Sequence, residues 1–145
     1  PELPGGNQTS LTDLGRNEPM KFYISLGALF CLLAVLAGAL SAHALKETLA
    51  QLGGGTNFDL ATRYMFYHGL ALIAVGLLKH GYPAISFQYA GWFFVAGSIF
   101  FQGNLYLLAL TGIRTFQMLA PAGGLCLMLG WGTIAILALR IPFKP

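Results

Sequence analysis

Four apolar stretches, each long enough to cross a bilayer, constrain this chain more than any other feature. Phe22–Leu45 runs 24 residues without a charge, and Ile85–Leu110 runs 26. Leu60–Leu78 is interrupted only by Arg63 near its start and by His68, and Leu119–Leu139 closes the set just before Arg140, Pro142 and Lys144. Each exceeds the roughly 18 residues that mark a spanning helix. A backbone in hydrocarbon must satisfy its own N–H and C=O groups, so each stretch is expected to be helical. The expected fold class is all-α: a four-helix transmembrane bundle with short loops and an extended polar N-terminal tail. Residues 1–19 make the tail and residues 20–145 the membrane domain, with spans at about 22–45, 60–78, 85–110 and 119–139.

Composition supports a lipid solvent. Of the 145 residues, 56% are hydrophobic and 9% charged, against about 25% charged in a soluble domain. Eight basic and five acidic side chains cannot cover a water-soluble globule of this size, which excludes a soluble enzyme, a disulfide scaffold and a disordered chain. The net charge of +3 comes from cations scattered singly, so no nucleic-acid partner is expected. Their placement speaks instead to orientation. With four spans, Arg16, Lys21, Lys79, Arg140 and Lys144 share one side, against Lys46, Arg63 and Arg114 opposite. Loop cations collect on the cytoplasmic face. A multi-pass protein of a bacterial inner membrane is expected, with both termini cytoplasmic and Tyr23, Tyr82, Tyr89 and Trp92 near that interface. Membrane lipids are its first partners.

The connections are short. Lys46–Asp59 carries Gly53-Gly54-Gly55, which breaks any continuous helix; its first half extends span one or lies at the interface. Pro83 is expected to start span three and Pro121 to sit in the first turn of span four. Residues 1–19 lack the hydrophobic stretch of a secretory signal. Met20-Lys21-Phe22 reads as a start site behind an appended segment, and Pro1 equally as what removal of an initiator Met leaves. Leu3, Leu11 and Leu14 cannot offset an ordering entropy of about 1–2 kcal/mol per residue. Pro1, Pro4 and Pro19 favour extended backbone, and Thr12–Gly15 allows a turn or a very short helix. This tail is expected to lie along the cytoplasmic surface against another subunit.

Few residues carry chemistry. Ala34, Gly38 and Ala42 in span one, and Ala122, Cys126 and Gly130 in span four, repeat at four-residue spacing. Small residues on one face let helix backbones approach closely, so Ala34, Gly38, Ala42, Ala122 and Gly130 are helix-packing candidates. Span three has Ser98, Gln102 and Tyr106 at i, i+4 and i+8, with Asn104 nearby. Polar groups in hydrocarbon are costly unless they face a partner, so this stripe is read as interhelical glue, or as a polar ligand path. His43 and His68 are the most chemical side chains, expected in the same half of the membrane. They bond neighbouring groups or, as the sharper alternative, ligate haem or chlorophyll. No third ligand, CxxCH motif or carboxylate cluster accompanies them, so no metal or cofactor is expected. Cys31 and Cys126 lie about 10 Å apart in depth, too far for a disulfide.

Five motifs together resemble the small four-span proteins grouped as domain of unknown function 423, which include the eukaryotic transmembrane protein 256. They are Gly38-Ala39-Leu40-Ser41-Ala42-His43-Ala44-Leu45, then Arg63–Leu72 around Tyr67-His68-Gly69, then Gly91–Gly97, then Gly103–Gly112 beginning Gly-Asn-Leu-Tyr, and Pro121–Leu125 with Gly130-Trp131. The resemblance spans residues 20–140 and departs in detail at Ser41 and at Leu119–Gly124. It implies the four-span fold and brings no activity with it.

With no nucleophile, acid or base constellation visible, no enzyme is expected. The expected function is that of a non-catalytic structural or accessory subunit of a larger membrane complex, contacting other subunits through residues 1–19 and the bundle surface. The alternative is a small-molecule or lipid binder or transporter using His43, His68 and the stripe of span three. Reporter fusions at Pro1 and Pro145 should localise to the same side of the membrane; opposite sides would exclude an even number of spans.

Overall fold

The structure is a computed structural model that describes residues 9–115 and 117–142, with side chains from Glu18 onward. It contains α1 (Thr9–Ala42), α2 (Lys46–Gln51), α3 (Gly55–Gly81), α4 (Gln88–Thr111) and α5 (Leu119–Ala138). Four of these are long and apolar enough to cross a membrane: Glu18–Ala42 within α1, and the whole of α3, α4 and α5. The protein is therefore an all-helical, four-span bundle. α3 and α4 are the central pair, α1 packs on α3, and α5 packs on α4.

Contacts fix the directions. Gly27 of α1 meets Gly69 of α3, and Met20 and Ile24 meet Gly76. Thr62 bonds Tyr106 and His68 meets Gln102 between α3 and α4. Phe94 meets Gly130, and Phe101 meets Gly123, between α4 and α5. In every pair one number rises as the other falls, so neighbouring helices are antiparallel. The start of α1, the end of α3, the start of α4 and the end of α5 therefore share one end of the bundle.

The span limits differ from those read in the sequence. Span one ends at Ala42, and His43, Ala44 and Leu45 form a turn closed by Leu45 N–H to the Leu40 carbonyl at 2.8 Å. The following α2 folds over the bundle end and inserts Leu49 against Phe58 and Ala109. Gly53 takes the left-handed φ of 63° that ends α2, and Gly54 abuts the Ala109 backbone so closely that a Cβ there would collide with its carbonyl. α3 then starts at Gly55, five residues before the first leucine of the expected span. Pro83 does not open α4: residues 82–87 turn through two backbone bonds, and helix begins at Gln88. Pro121 does sit in the first turn of α5.

Thr9–Pro19 corrects the extended tail. The segment is the beginning of α1, with Pro19 inside the helix. An apolar helix already formed downstream propagates at the gain of one hydrogen bond per residue. Proline forfeits one such bond, and its φ near −65° is helical. The part of the tail call on residues 1–8 lies outside the described residues.

Close packing at glycine holds the bundle together. At Gly27 an added Cβ would fall on the Gly69 carbonyl and lie 2.8 Å from Ile73, and at Gly69 it would stand 2.7 Å from the Cys31 sulfur. On the other side, a Cβ on Gly123 would stand 2.5 Å from the Phe101 nitrogen, and one on Gly130 2.6 Å from the Phe94 ring. Between them, Leu72, Val75, Ala90 and Phe94 are fully enclosed.

The small-residue candidates divide accordingly. Ala34 is buried at 3% exposure, and Gly130 seats Phe94. Gly38, Ala42 and Ala122 correct the expected face: nothing lies within 4 Å of a Cβ on Gly38, and Ala42 and Ala122 are exposed. The contact of α1 runs instead through Gly27, Cys31 and Ala34, which lie on the face of the helix turned to α3. Gly27→Leu should therefore lower unfolding stability in detergent by about 3 kcal/mol or more, as forced overpacking against backbone does. Gly38→Leu should change it by less than about 0.5 kcal/mol. Thermal unfolding of the two purified variants checks the contrast, and equal losses would contradict this packing.

Candidate functional site

α4 turns its polar stripe toward α3, for a reason visible in the sequence. Ser98, Gln102 and Tyr106 recur every four residues and so lie on one helical face. In a bilayer such a face gains by meeting polar groups on a neighbour. It meets Thr62 and His68 of α3. The Thr62 hydroxyl donates to the Phe58 carbonyl at 2.8 Å and lies 2.9 Å from the Tyr106 hydroxyl. Phe58 packs edge-on against the Tyr106 ring, with centroids 4.9 Å apart.

His68 lies midway along α3 and is 4% exposed. Its Nδ1 stands 2.7 Å from the Tyr64 carbonyl one turn earlier. A carbonyl only accepts, so Nδ1 carries the proton and donates. The Gln102 amide faces the same nitrogen at 3.4 Å. Nδ1–H being a donor, that contact becomes a hydrogen bond when the amide oxygen is on the imidazole side. Among the described residues, both hydrogen-bond contacts of the ring are made by Nδ1 and none by the other nitrogen, Nε2. Among the described residues, two buried polar atoms stand without a partner as placed: the Ser98 hydroxyl and the Gln102 Oε1. Ser98 is 5% exposed and Gln102 2%.

Aromatic rings enclose the imidazole. Phe94, Tyr64 and Trp131 have centroids 5.5, 5.8 and 6.3 Å from it. On one side of His68 the walls part into a crevice of about 550 Å³, lined also by Phe101, Gly124, Leu127 and Met128. Its rim residues Tyr67, Met128 and Trp131 are 53%, 63% and 48% exposed. α3 and α5 each pack mainly on α4 and meet one another through side chains such as His68 and Trp131, so the crevice between them opens on the side of the bundle, which in a bilayer faces lipid.

The remaining candidates lie elsewhere. His43 is exposed in the turn after α1 and takes no part in this cluster. The structure does not bring the two imidazoles together, since α1 ends one residue before His43. Asn104 is buried at 7% on α4, off the Gln102 face. Cys31 and Cys126 are free thiols. Among the described residues, no three His, Cys, Asp or Glu side chains come together. Arg63, alone in its span in the sequence, pairs with Asp59 on the exposed side of α3. At the opposite end of α3, Lys79 donates to Gln88 Oε1 at 2.8 Å, and the Tyr23 hydroxyl donates to the Gln88 carbonyl at 3.1 Å. The crevice itself escaped sequence reasoning. Its walls, Tyr64, Phe101 and Trp131, read as ordinary span residues, and only the i, i+4 relation of Tyr64 to His68 hints at a shared face.

Fold and polar interface together define a small, all-helical, multi-pass membrane protein built on four spans. The chain belongs to the family described as "Protein of unknown function (DUF423)", whose model matches residues 37–124 and so takes in α2 to α4 and every polar candidate above. Relatives come from bacteria. A UPF0382 membrane protein of Staphylococcus epidermidis is 40% identical over 83% of this chain and 98% of its own length. Another from Staphylococcus saprophyticus is 39% identical over 84% and 100%, and one from Staphylococcus aureus is 41% identical over 77% and 90%. No solved structure matches the chain.

The two hydroxyls of the α4 stripe should respond differently to removal. Tyr106→Phe breaks a made hydrogen bond and should cost about 1 kcal/mol. Ser98→Ala removes a buried hydroxyl without a partner and should cost nothing beyond about 0.5 kcal/mol, or stabilise. Unfolding in mixed micelles measures both, and a larger loss for Ser98→Ala would mean that its hydroxyl is bonded.

Proposed function

We propose that this protein is a non-catalytic integral membrane subunit, whose work is to associate laterally with other transmembrane helices in a larger complex. The observation that carries this reading is a glycine surface left open. Gly103 and Gly132 are exposed on α4 and α5, and nothing lies within 4 Å of a Cβ added at either. A glycine within a helix costs about 1 kcal/mol relative to alanine. Glycine at a helix contact repays that cost through close backbone approach, as Gly27 and Gly123 do inside the bundle. Gly103 and Gly132 find no such contact among the described residues.

Around Gly103, Ile99, Phe100, Leu107 and Leu119 form a shallow apolar groove of about 250 Å³, with Asn104 at its edge. A groove with a glycine floor accepts a neighbouring helix at short range. α1 adds a second surface: at about 1.5 Å per residue its 34 residues reach about 51 Å, well beyond an apolar core of about 30 Å. The turns from Thr9 to Asn17 precede the span and offer a docking element on the face that holds both ends of the bundle.

Gly103→Leu should leave the bundle folded, because the added side chain meets open space, yet strip co-purifying chains from the protein extracted in mild detergent. Mass analysis of the native and variant assemblies measures this. A native protein that runs as a lone 15.5 kDa chain in its own membrane would overturn the reading.

A further inference from the structure

We infer that the crevice between α3 and α5 is a binding site for a membrane-dissolved hydrocarbon that carries a single hydroxyl group, a long-chain or polycyclic alcohol or phenol, with His68 Nε2 accepting the hydroxyl proton. The inference is independent of lateral association, since it rests on the opposite, α3-facing side of α4.

Three observations define the ligand. The first is the tautomer: Nδ1–H is committed to the Tyr64 carbonyl at 2.7 Å, so in the neutral ring Nε2 is an acceptor. Among the described residues the contacts of the ring are made by Nδ1 and not by Nε2, and the side chain, only 4% exposed, nonetheless lines the crevice. A ligand must therefore bring a donor, which a ketone, an ether or an ester lacks.

The second is depth. His68 stands midway between Gly55 and Gly81, about 20 Å along the helix from either end. A charged or zwitterionic headgroup would have to leave the interface entirely to reach it, at a cost that hydrocarbon does not repay. A lone hydroxyl on an apolar body makes that journey cheaply, and its remaining cost is met by the hydrogen bond. The third is shape. The crevice holds about 550 Å³, within the range of about 300–1,000 Å³ for small-molecule sites. Tyr64, Phe101 and Trp131 present rings, Leu127 and Met128 present aliphatic surface, and the mouth opens to the bilayer, where such a molecule dissolves.

Gly124 gives the site its room. It lines the crevice, and a Cβ there would make only ordinary contact with Phe101, at 3.9 Å. A large side chain at Gly124 would thus occupy the ligand's place without disturbing the helix contact at Gly123.

Retinol serves as the probe, because it is a hydrocarbon alcohol whose binding quenches tryptophan emission, and Trp131 stands at the crevice. Full-length protein in phosphatidylcholine nanodiscs should show saturable quenching, reversed by geranylgeraniol and not by geranylgeranyl methyl ether. His68→Phe should weaken retinol binding about tenfold, the equivalent of one hydrogen bond. Gly124→Phe should abolish it while helical circular dichroism is retained, and this variant decides the matter should His68→Phe fail to fold. Equal competition by the alcohol and the ether would overturn the inference, as would binding unaffected by Gly124→Phe or quenching no greater than in protein-free nanodiscs. Disulfide-linked dimers of a Tyr67→Cys, Met128→Cys variant, together with no retinol binding, would overturn it also, by placing a second copy in the crevice.

Discussion

Backbone-to-backbone approach at glycine is the contact on which this bundle depends. Lipid tails are as apolar as leucine, so a helix gains nothing by hiding leucines from them, and association rests on dispersion and hydrogen bonds made at short range. Gly27 against Gly69, Gly54 against Ala109, and Gly123 against Phe101 place a backbone where a single methyl group would not fit. The large side chains then fill what the glycines permit: Phe94 lies over Gly130, Tyr23 over Gly91, and Leu127 over Gly97.

This economy leaves the polar residues with one place to go. Ser98, Gln102 and Tyr106 face α3 because a partner there, Thr62 or His68, spares them hydrocarbon. The lower rung, Thr62 to Tyr106, is complete. The upper rung is not, since the Ser98 hydroxyl there is buried without a partner among the described residues. Stability alone favours apolar replacements at such positions, and incompletely satisfied buried groups gather where a protein handles something other than itself.

Chain order explains why that incomplete rung borders an opening. α1 packs on α3 and α5 packs on α4, so α3 and α5 are held side by side chiefly through α4. Aromatic rings from three helices span the gap without closing it. On the far side of α4 the same arrangement leaves Gly103 and its shallow groove turned outward. One helix thus carries two unlike surfaces, a polar one toward the interior and a small-residue one toward the membrane.

Apolar length alone determined the number of spans, their helical state and their antiparallel order, because hydrocarbon leaves a backbone no other way to satisfy its hydrogen bonds. Four-residue spacing likewise determined that Ser98, Gln102 and Tyr106 share a face. Spacing says nothing about which face meets which neighbour. Ala34, Gly38 and Ala42 satisfy the small-residue pattern as well as Gly27, Cys31 and Ala34 do, and only the packing of α1 on α3 decided between them. The turn closed by Leu45 N–H on the Leu40 carbonyl ends the helix at Ala42 and leaves His43 outside the membrane-spanning helix, apart from His68. Nor did Thr9–Pro19 follow its local composition, since a helix begun in an apolar span extends through polar residues at little cost. The crevice beside His68 depended on tertiary structure entirely: a gap is a property of three helices at once, and no single stretch of sequence records it.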